Sequence, residues 1–267
     1  MIKLVATDID GTILGSSRVF TDGVKNCIRR LESKGIKVVL VTGRMHAAAK
    51  KIAKSLDMKT PVVSYQGGLI IDNENNVLYE RYIPEPIVDR ILAWAKQNNV
   101  HINFYSDDTL YSEKDDYEVQ RYSSYQNIDY IVKSFDELPH NRVHKLLGID
   151  FDNPNRVTEW VETMTKEFPE LHIVKSTPNF CEFSVKDATK YCAVKFLQNY
   201  WGFKNEEILT IGDQDNDIEL LKAGEISIAM GNASNNLKRY ADYITDTVDN
   251  DGFVKAIEKF VFEEVNV

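Results

Sequence analysis

At 267 residues the chain has length for one large domain or two small ones, and either can bury a proper core. Hydrophobic residues at 43% and charged residues at 27% are ordinary for a soluble globular protein. The net charge of -9 argues against a broad nucleic-acid surface or an anionic membrane as partner, yet leaves room for an anionic small substrate, because a metal and a few local cations can reverse the field inside a pocket.

No apolar run approaches the roughly 18–20 residues that span a bilayer. The N-terminus carries no basic patch, long apolar segment or cleavage site of a secretory signal. Cys27, Cys181 and Cys192 are odd in number and lack CxxC spacing. They suit a reducing cytosol as buried thiols, and the expected compartment is the cytoplasm.

In chain order, Ile2 to Ala6 reads as a buried strand of a parallel sheet, and it runs into Asp8-Ile9-Asp10-Gly11-Thr12. Ligands bind at such carboxyl ends in open α/β sheets. Two acids so close repel each other. The stretch asks for a divalent metal, for a division of labour between base and acid, or for both. Val24, Cys27, Ile28 and Leu31 then mark a helix that Gly35 stops. Ile36 to Val41 is the next strand, followed by Thr42-Gly43-Arg44 and a helix carrying Ala47, Ala48, Ile52, Ala53 and Leu56. Pro61 to Ser64 is a third parallel strand, broken by Gln66-Gly67-Gly68. Leu69 to Ile71 and Val77 to Tyr79 form a hairpin.

Near Pro84-Glu85-Pro86 the character changes. The prolines mark either a linker or the start of a helix through Ile87, Ile91 and Trp94. From there to about Lys186 the sequence is richer in tyrosine and in strands. His101 to Tyr105, Val143 to Phe151, Leu171 to Lys175 and Phe180 to Val185 are strands, with a helix from Asn155 to Phe168. This α+β pattern interrupts the α/β rhythm and reads as an insert. The rhythm resumes with a helix from about Thr189 to Trp201. Then come a strand at Ile208 to Ile211, the cluster Gly212 to Asp217, a helix, and a strand at Ile226 to Met230. A short helix, a strand at Asp242 to Thr245 and a last helix from Gly252 follow. The expected architecture is a Rossmann-like doubly wound parallel sheet in residues 1–83 and 187–267. Residues 84–186 are the expected inserted α+β cap.

Three strands end in polar clusters: Asp8 to Thr12, Thr42 to Arg44, and Gly212 to Asp217. A doubly wound sheet brings such ends to one edge, with Lys190 arriving from the helix after the insert. Oxygen-rich carboxylate clusters suit magnesium. A backbone nest with Thr and Lys suits a phosphoryl group. Together they describe phosphoryl transfer.

On these motifs and their order, the chain resembles the haloacid dehalogenase superfamily of phosphohydrolases over essentially its whole length. Within it, the Cof-like sugar-phosphatase group, with a type IIB cap between the second and third motifs, is most similar. The resemblance implies hydrolysis of phosphate monoesters of small metabolites, sugar phosphates first, with Mg2+ as cofactor. It implies Asp8 as nucleophile and Asp10 as general acid and then base. It places magnesium on the Asp8 side chain, the Asp10 carbonyl and the Asp213 side chain. Asn216 and Asp217 would hold its waters or steady Lys190. Thr42 and the Gly43 N–H would take phosphate oxygens, and Lys190 would offset charge between Asp8 and the phosphate. A phosphomutase of the same fold and a phospho-accepting module with little turnover are the rival expectations.

Three positions depart from the family pattern: Gln66-Gly67-Gly68 replaces Asn-Gly-Ala, Gln214 replaces Asn, and bulky Tyr191 follows Lys190. Lys186 is a rival for the motif lysine; Lys190 is preferred for its distance from Glu182-Phe183. Thr42 alone reads as an N-cap. Arg44 reads equally as a substrate contact or an ion pair. His46, His101, His140, His144 and His172 are taken as structural or solvated, with no metal-ligand spacing in the insert. Tyr105, Tyr111, Tyr122 and Tyr125 read first as packed core and second as pocket lining. Asp107-Asp108 and Asp115-Asp116 read as loop charges and helix starts.

Overall fold

The computed structural model describes residues 1–263. The first βα units are β1 (Leu4–Thr7), α1 (Asp22–Ser33), β2 (Lys37–Leu40), α2 (His46–Ser55) and β3 (Val62–Ser64), followed by the antiparallel strands β4 (Leu69–Ile71) and β5 (Val77–Glu80). Helix α1 shows why these boundaries fall where they do. The Thr21 hydroxyl accepts from the Val24 N–H at 3.1 Å, capping the start. Val24, Cys27, Ile28 and Leu31 are its buried stripe, as their spacing predicts. Gly35 follows the helix with φ +77°, a left-handed stop.

The insert holds α3 (Glu85–Gln97), β6 (His101–Ser106), β7 (Thr109–Ser112), α4 (Tyr117–Gln126), β8 (Ile131–Val132), β9 (Val143–Ile149), α5 (Pro154–Glu167), β10 (Leu171–Thr177) and β11 (Phe180–Val185). Pro84 is the N-cap of α3 and Pro86 lies in its first turn, so they start a helix and are no linker. The chain then returns through α6 (Lys190–Trp201), β12 (Ile208–Gly212), α7 (Ile218–Leu221), β13 (Ile226–Ala229), β14 (Tyr243–Ile244) and α8 (Gly252–Ile257). The last four residues of the expected 187–267 segment lie outside the described residues.

Two sheets dominate. The order β14-β13-β12-β1-β2 is parallel throughout, with β1 flanked by β12 and β2. A bridge from Val41 to Val63 continues it towards β3. The second sheet, β10-β11-β9-β6-β7-β8, is antiparallel except for the β7–β8 pair. Apolar clusters cover both faces of the parallel sheet, around Val5, Ile28 and Leu209 on one and Leu4, Val194 and Leu220 on the other. A third lies beneath the antiparallel sheet, around Ile91, Phe104 and Trp160. A fourth joins the two parts: Met45, Tyr65 and Leu69 pack with Tyr105, Tyr122, Leu147 and Phe180.

Three elements escape the sequence periodicity: β7, α4 and β8. Only Val119 and Tyr122 of α4 are buried, too few for a readable stripe. The β6–β7 hairpin turns on Asp107 and Asp108, both with positive φ, a turn usually signalled by Asn-Gly or Asp-Gly.

Among the described residues, no helix is long and apolar enough to cross a membrane. All three cysteines are free; Cys27 and Cys181 are buried, and burial pushes the Cys27 thiol up to about 12.

Candidate active site

The order β12-β1-β2 sets three polar loops side by side. Asp8 follows β1, Thr42 follows the β2 strand end, and Asp213 follows β12. Gly11 holds its loop against Asp213: its φ is +77°, and a Cβ there would lie 2.1 Å from Asp213 Oδ2. Thr12 Oγ1 donates to Asp213 Oδ1 at 3.4 Å, and Asn232 Nδ2 donates to the Gly11 carbonyl at 2.9 Å.

Lys190 is the first residue of α6, placed there by the Thr189 cap, whose hydroxyl accepts from the Cys192 N–H. Its Nζ donates to Asp8 Oδ1 and to Asp217 Oδ1, both at 2.6 Å, with Lys190 1% and Asp217 0% exposed. Lys186 is exposed, and its Nζ donates to the Pro169 carbonyl instead. Asp217 Oδ2 accepts from the backbone N–H groups of Asp213 and Gln214, at 2.9 and 3.1 Å. Asp217 therefore steadies Lys190 and its own loop. Asn216 reaches Gln66, its Nδ2 lying 3.4 Å from Oε1.

The electrostatics fit a dication. Burial pushes the Asp8 carboxyl well up; Lys190 lowers it, while Asp217, Asp213 and Asp10 push it further up. Burial and then Asp217 push Asp213 up to about 7. Lys190 is raised: burial opposes its charge, but Asp217 and Asp8 outweigh it. One lysine does not neutralise this cluster, and a divalent ion between the carboxylates would. Oxygens of Asp8, Asp213 and Asp217 lie within 4.8 Å of one another. Asp8 and Asp213 line the open pocket beside the cluster and Asp217 does not, so Asp8 and Asp213 are the side chains placed to hold such an ion. Among the described residues the Asp10 carbonyl accepts no hydrogen bond.

The Asp10 side chain is gripped by Arg44. Nε lies 2.7 Å from Oδ2 and Nη2 lies 2.6 Å from Oδ1. Of the two readings of Arg44, the structure has the ion pair. Arg44 is raised in pKa: burial lowers it, but the Asp10 contact more than offsets that.

Thr42 is not a helix cap. Helix α2 begins at His46, after Met45, and Thr42 Oγ1 instead accepts from the Arg44 N–H at 3.2 Å. The start of α2 is capped by Asp108 of the β6–β7 turn. Its carboxylate accepts from the His46 and Ala47 N–H groups at 2.8 and 2.7 Å and from the Tyr65 hydroxyl at 2.7 Å. Asp108 is therefore more than a loop charge: it ties the insert to the parallel sheet's helix. Asp116 does begin a helix, accepting from the Val119 N–H.

The departures from the family pattern find physical partners. Tyr65 and Gln66 both have positive φ, and the Gln66 side chain packs where a Cβ on Gly43 would come within 2.4 Å. Gln214 Nε2 donates to Asp213 Oδ2 at 3.0 Å. Tyr191 is exposed, so its bulk meets solvent.

A cavity of about 380 Å³ joins these groups. Asp8, Asp10, Gly43 and Asp213 line it together with Tyr122, Lys145, Phe180 and Glu182 of the insert. Of the tyrosines, Tyr105 and Tyr122 pack in the joining cluster, and Tyr111 packs beneath the antiparallel sheet. Tyr122 and Tyr125 also line the cavity. No histidine lines it. His46 and His144 are buried, with burial lowering both pKa values. In the insert, His101, Asp116 and Glu118 come within ligand distance of one another despite their sequence spacing, and His101 pairs with Asp116 at 3.0 Å.

Lys145 and Asp108 are groups at the site that motif reading misses, and the contact between Gln66 and Glu182, both in motif positions, is likewise not visible in the sequence. Each acts across a long sequence gap, so only the Asp-Asp turn gave a local signal.

A family model described as haloacid dehalogenase-like hydrolase matches residues 5–257. The 5-amino-6-(5-phospho-D-ribitylamino)uracil phosphatase YcsE of Bacillus subtilis (strain 168) is 30% identical over 263 residues, 97% of this chain and 96% of that protein. Phosphatase YwpJ of the same organism is 29% identical over 279 residues, 94% of this chain and 97% of that one. The structure of TM0651 from Thermotoga maritima matches with a TM-score of 0.85 at 31% identity, covering 97% of each chain. The subclass IIB sugar phosphatase BT4131 shares the fold, with a TM-score of 0.86 at 24% identity over 97% of this chain and 98% of that one. With the family model spanning nearly the whole chain and a relative at this identity, the chain belongs to the haloacid dehalogenase-like hydrolases, among their phosphatases.

Proposed function

We propose that the chain is a magnesium-dependent phosphatase of small phosphorylated metabolites, sugar phosphates first, working through an aspartyl-phosphate. The observation that carries this is Lys190, bound at 2.6 Å to both Asp8 and Asp217, with Asp213 beside them on the wall of one cavity. Asp8 attacks phosphorus, and the bond from phosphorus to the ester oxygen breaks. Asp10 gives its proton to that oxygen, since an alkoxide leaves poorly. Asp10 then takes a proton from water as the water oxygen attacks the aspartyl-phosphate, releasing phosphate and restoring Asp8. Thr42 and the Gly43 N–H hold the phosphoryl oxygens, and Lys190 offsets charge between them and Asp8. Asp8, the Asp10 carbonyl and Asp213 would hold a magnesium ion, whose chemistry is charge neutralisation at the phosphoryl group.

Residues 84–186 act as a cap over the core of residues 1–83 and 187–267, excluding water and selecting the substrate. The joining cluster and the Asp108 contact support this division. The name of YcsE describes a substrate with phosphate on a ribityl chain, which supports a small polyhydroxylated ester here. The net charge of -9 supports a small ligand over nucleic acid or an anionic membrane, and the buried free thiols support a reducing cytoplasm.

The test is phosphate release from p-nitrophenyl phosphate and a metabolite panel, with and without magnesium. Asp8→Asn is expected to abolish release while keeping the fold. Normal turnover in that variant rejects the nucleophile, and isomerised sugar phosphate without free phosphate makes the chain a mutase.

A further inference from the structure

Lys145 and Glu182 line the same cavity as the carboxylate cluster. They come from adjacent antiparallel strands, β9 and β11, where Glu182 pairs with Leu147. Lys145 is two residues from Leu147, so its side chain shares that face of the sheet as a diagonal neighbour. Both are buried, at 2% and 5% exposure. Their contact is loose for a buried ion pair: Nζ lies 3.5 Å from Oε2. Charges taken out of water recover that cost only with close geometry and further hydrogen bonds, so this pair is a poor device for stability alone.

Both groups have bonding capacity left. Lys145 Nζ donates to the Gly43 carbonyl at 3.0 Å, which leaves it further donors. Glu182 Oε2 accepts from Gln66 Nε2 at 3.3 Å, and carboxylate lone pairs remain. The other cations of the site are engaged, Lys190 with Asp8 and Asp217, and Arg44 with Asp10. A free donor beside a free acceptor suits a group that is both acceptor and donor: a hydroxyl. The Gly43 contact sets the distance. The phosphatase reading gives the N–H of the same residue to the phosphoryl group, which puts the hydroxyl on carbon close to the ester oxygen.

Resting on the phosphatase reading above, we propose that Lys145 and Glu182 read a hydroxyl of the leaving group and so select polyol and sugar phosphates over plain alkyl phosphates. The hydroxyl accepts from Lys145 and donates to Glu182. An alkyl ester leaves both charges buried without that partner, the circumstance in which discrimination is strongest. Tyr122 and Phe180 add apolar lining to the same cavity.

The test separates binding from turnover. With magnesium present, calorimetry on the Asp8→Asn protein compares ribitol 5-phosphate with pentyl phosphate. The hydroxylated ester is expected to bind about a hundredfold more tightly. Adding Lys145→Met or Glu182→Gln is expected to cut that ratio about tenfold or more. No preference in Asp8→Asn, or equal weakening of both esters by the added changes, overturns the proposal and leaves the pair as a strut between cap and core. If Lys145→Met does not fold, Glu182→Gln carries the comparison. The phosphatase reading is judged separately, by wild-type turnover of p-nitrophenyl phosphate, which has no such hydroxyl.

Discussion

Arg44 binds both carboxylate oxygens of Asp10, with Nε 2.7 Å from Oδ2 and Nη2 2.6 Å from Oδ1. In the proposed mechanism Asp10 is the proton donor and needs one of those oxygens for its proton, so the grip is expected to open at one oxygen during turnover while the other bond keeps Asp10 aimed. Arg44→Lys keeps the charge and loses the fork. It is expected to lower kcat about tenfold to a hundredfold, most for esters with poor leaving groups, with little change in KM. A steeper dependence of kcat on leaving-group pKa checks it. A rise in KM with unchanged slope would make Arg44 a substrate contact instead.

Lys190 and Lys186 are four residues apart and differ in everything else. Lys190→Ala leaves Asp8 and Asp217 buried without their shared cation. Breaking such a pair costs about 3–5 kcal/mol, and activity is expected to fall with it. Lys186→Ala removes an exposed contact to a carbonyl and is expected to change neither activity nor Tm. Denaturant melts and initial rates on both variants decide the motif lysine.

Asp213 tests the metal. Burial and the Asp217 charge push its carboxyl up to about 7, so the ionised form is unfavourable without a cation. Asp213→Asn removes that repulsion. The variant is expected to match or exceed wild type in Tm in chelator, and to lack the rise in Tm that magnesium is expected to give wild type. At a hundredfold excess over Kd that rise reflects about 2.7 kcal/mol. A full magnesium shift in Asp213→Asn would remove Asp213 from the ligand set.

Asp108 tests the docking of the proposed cap on the proposed core. Its carboxylate accepts three hydrogen bonds from the core: the His46 and Ala47 N–H groups and the Tyr65 hydroxyl. Asp108→Ala is expected to destabilise the docked state by about 1–2 kcal/mol, the range of a lost helix cap. Small-angle scattering should show a larger radius of gyration, and KM should rise. An unchanged radius with normal kinetics would show that the apolar cluster around Tyr65 and Tyr105 suffices.

By itself the sequence determined the parallel α/β sheet, its antiparallel insert and the placing of Asp8, Thr42 and Asp213 at neighbouring strand ends. These follow from local signals: buried runs of period-free apolar residues, glycine turns and helix stripes, each readable within a dozen residues. It left β7, α4 and β8 unread, because the Asp107-Asp108 turn lacks glycine and α4 buries only Val119 and Tyr122. Only the tertiary structure decided that Arg44 holds Asp10, that Asp108 rather than Thr42 caps α2, and that Lys145 meets Gly43. Those contacts join residues 34, 62 and 102 positions apart in the chain. No periodicity encodes them. They arise when apolar faces dock and leave each buried polar group to find its partner in whatever element arrives beside it.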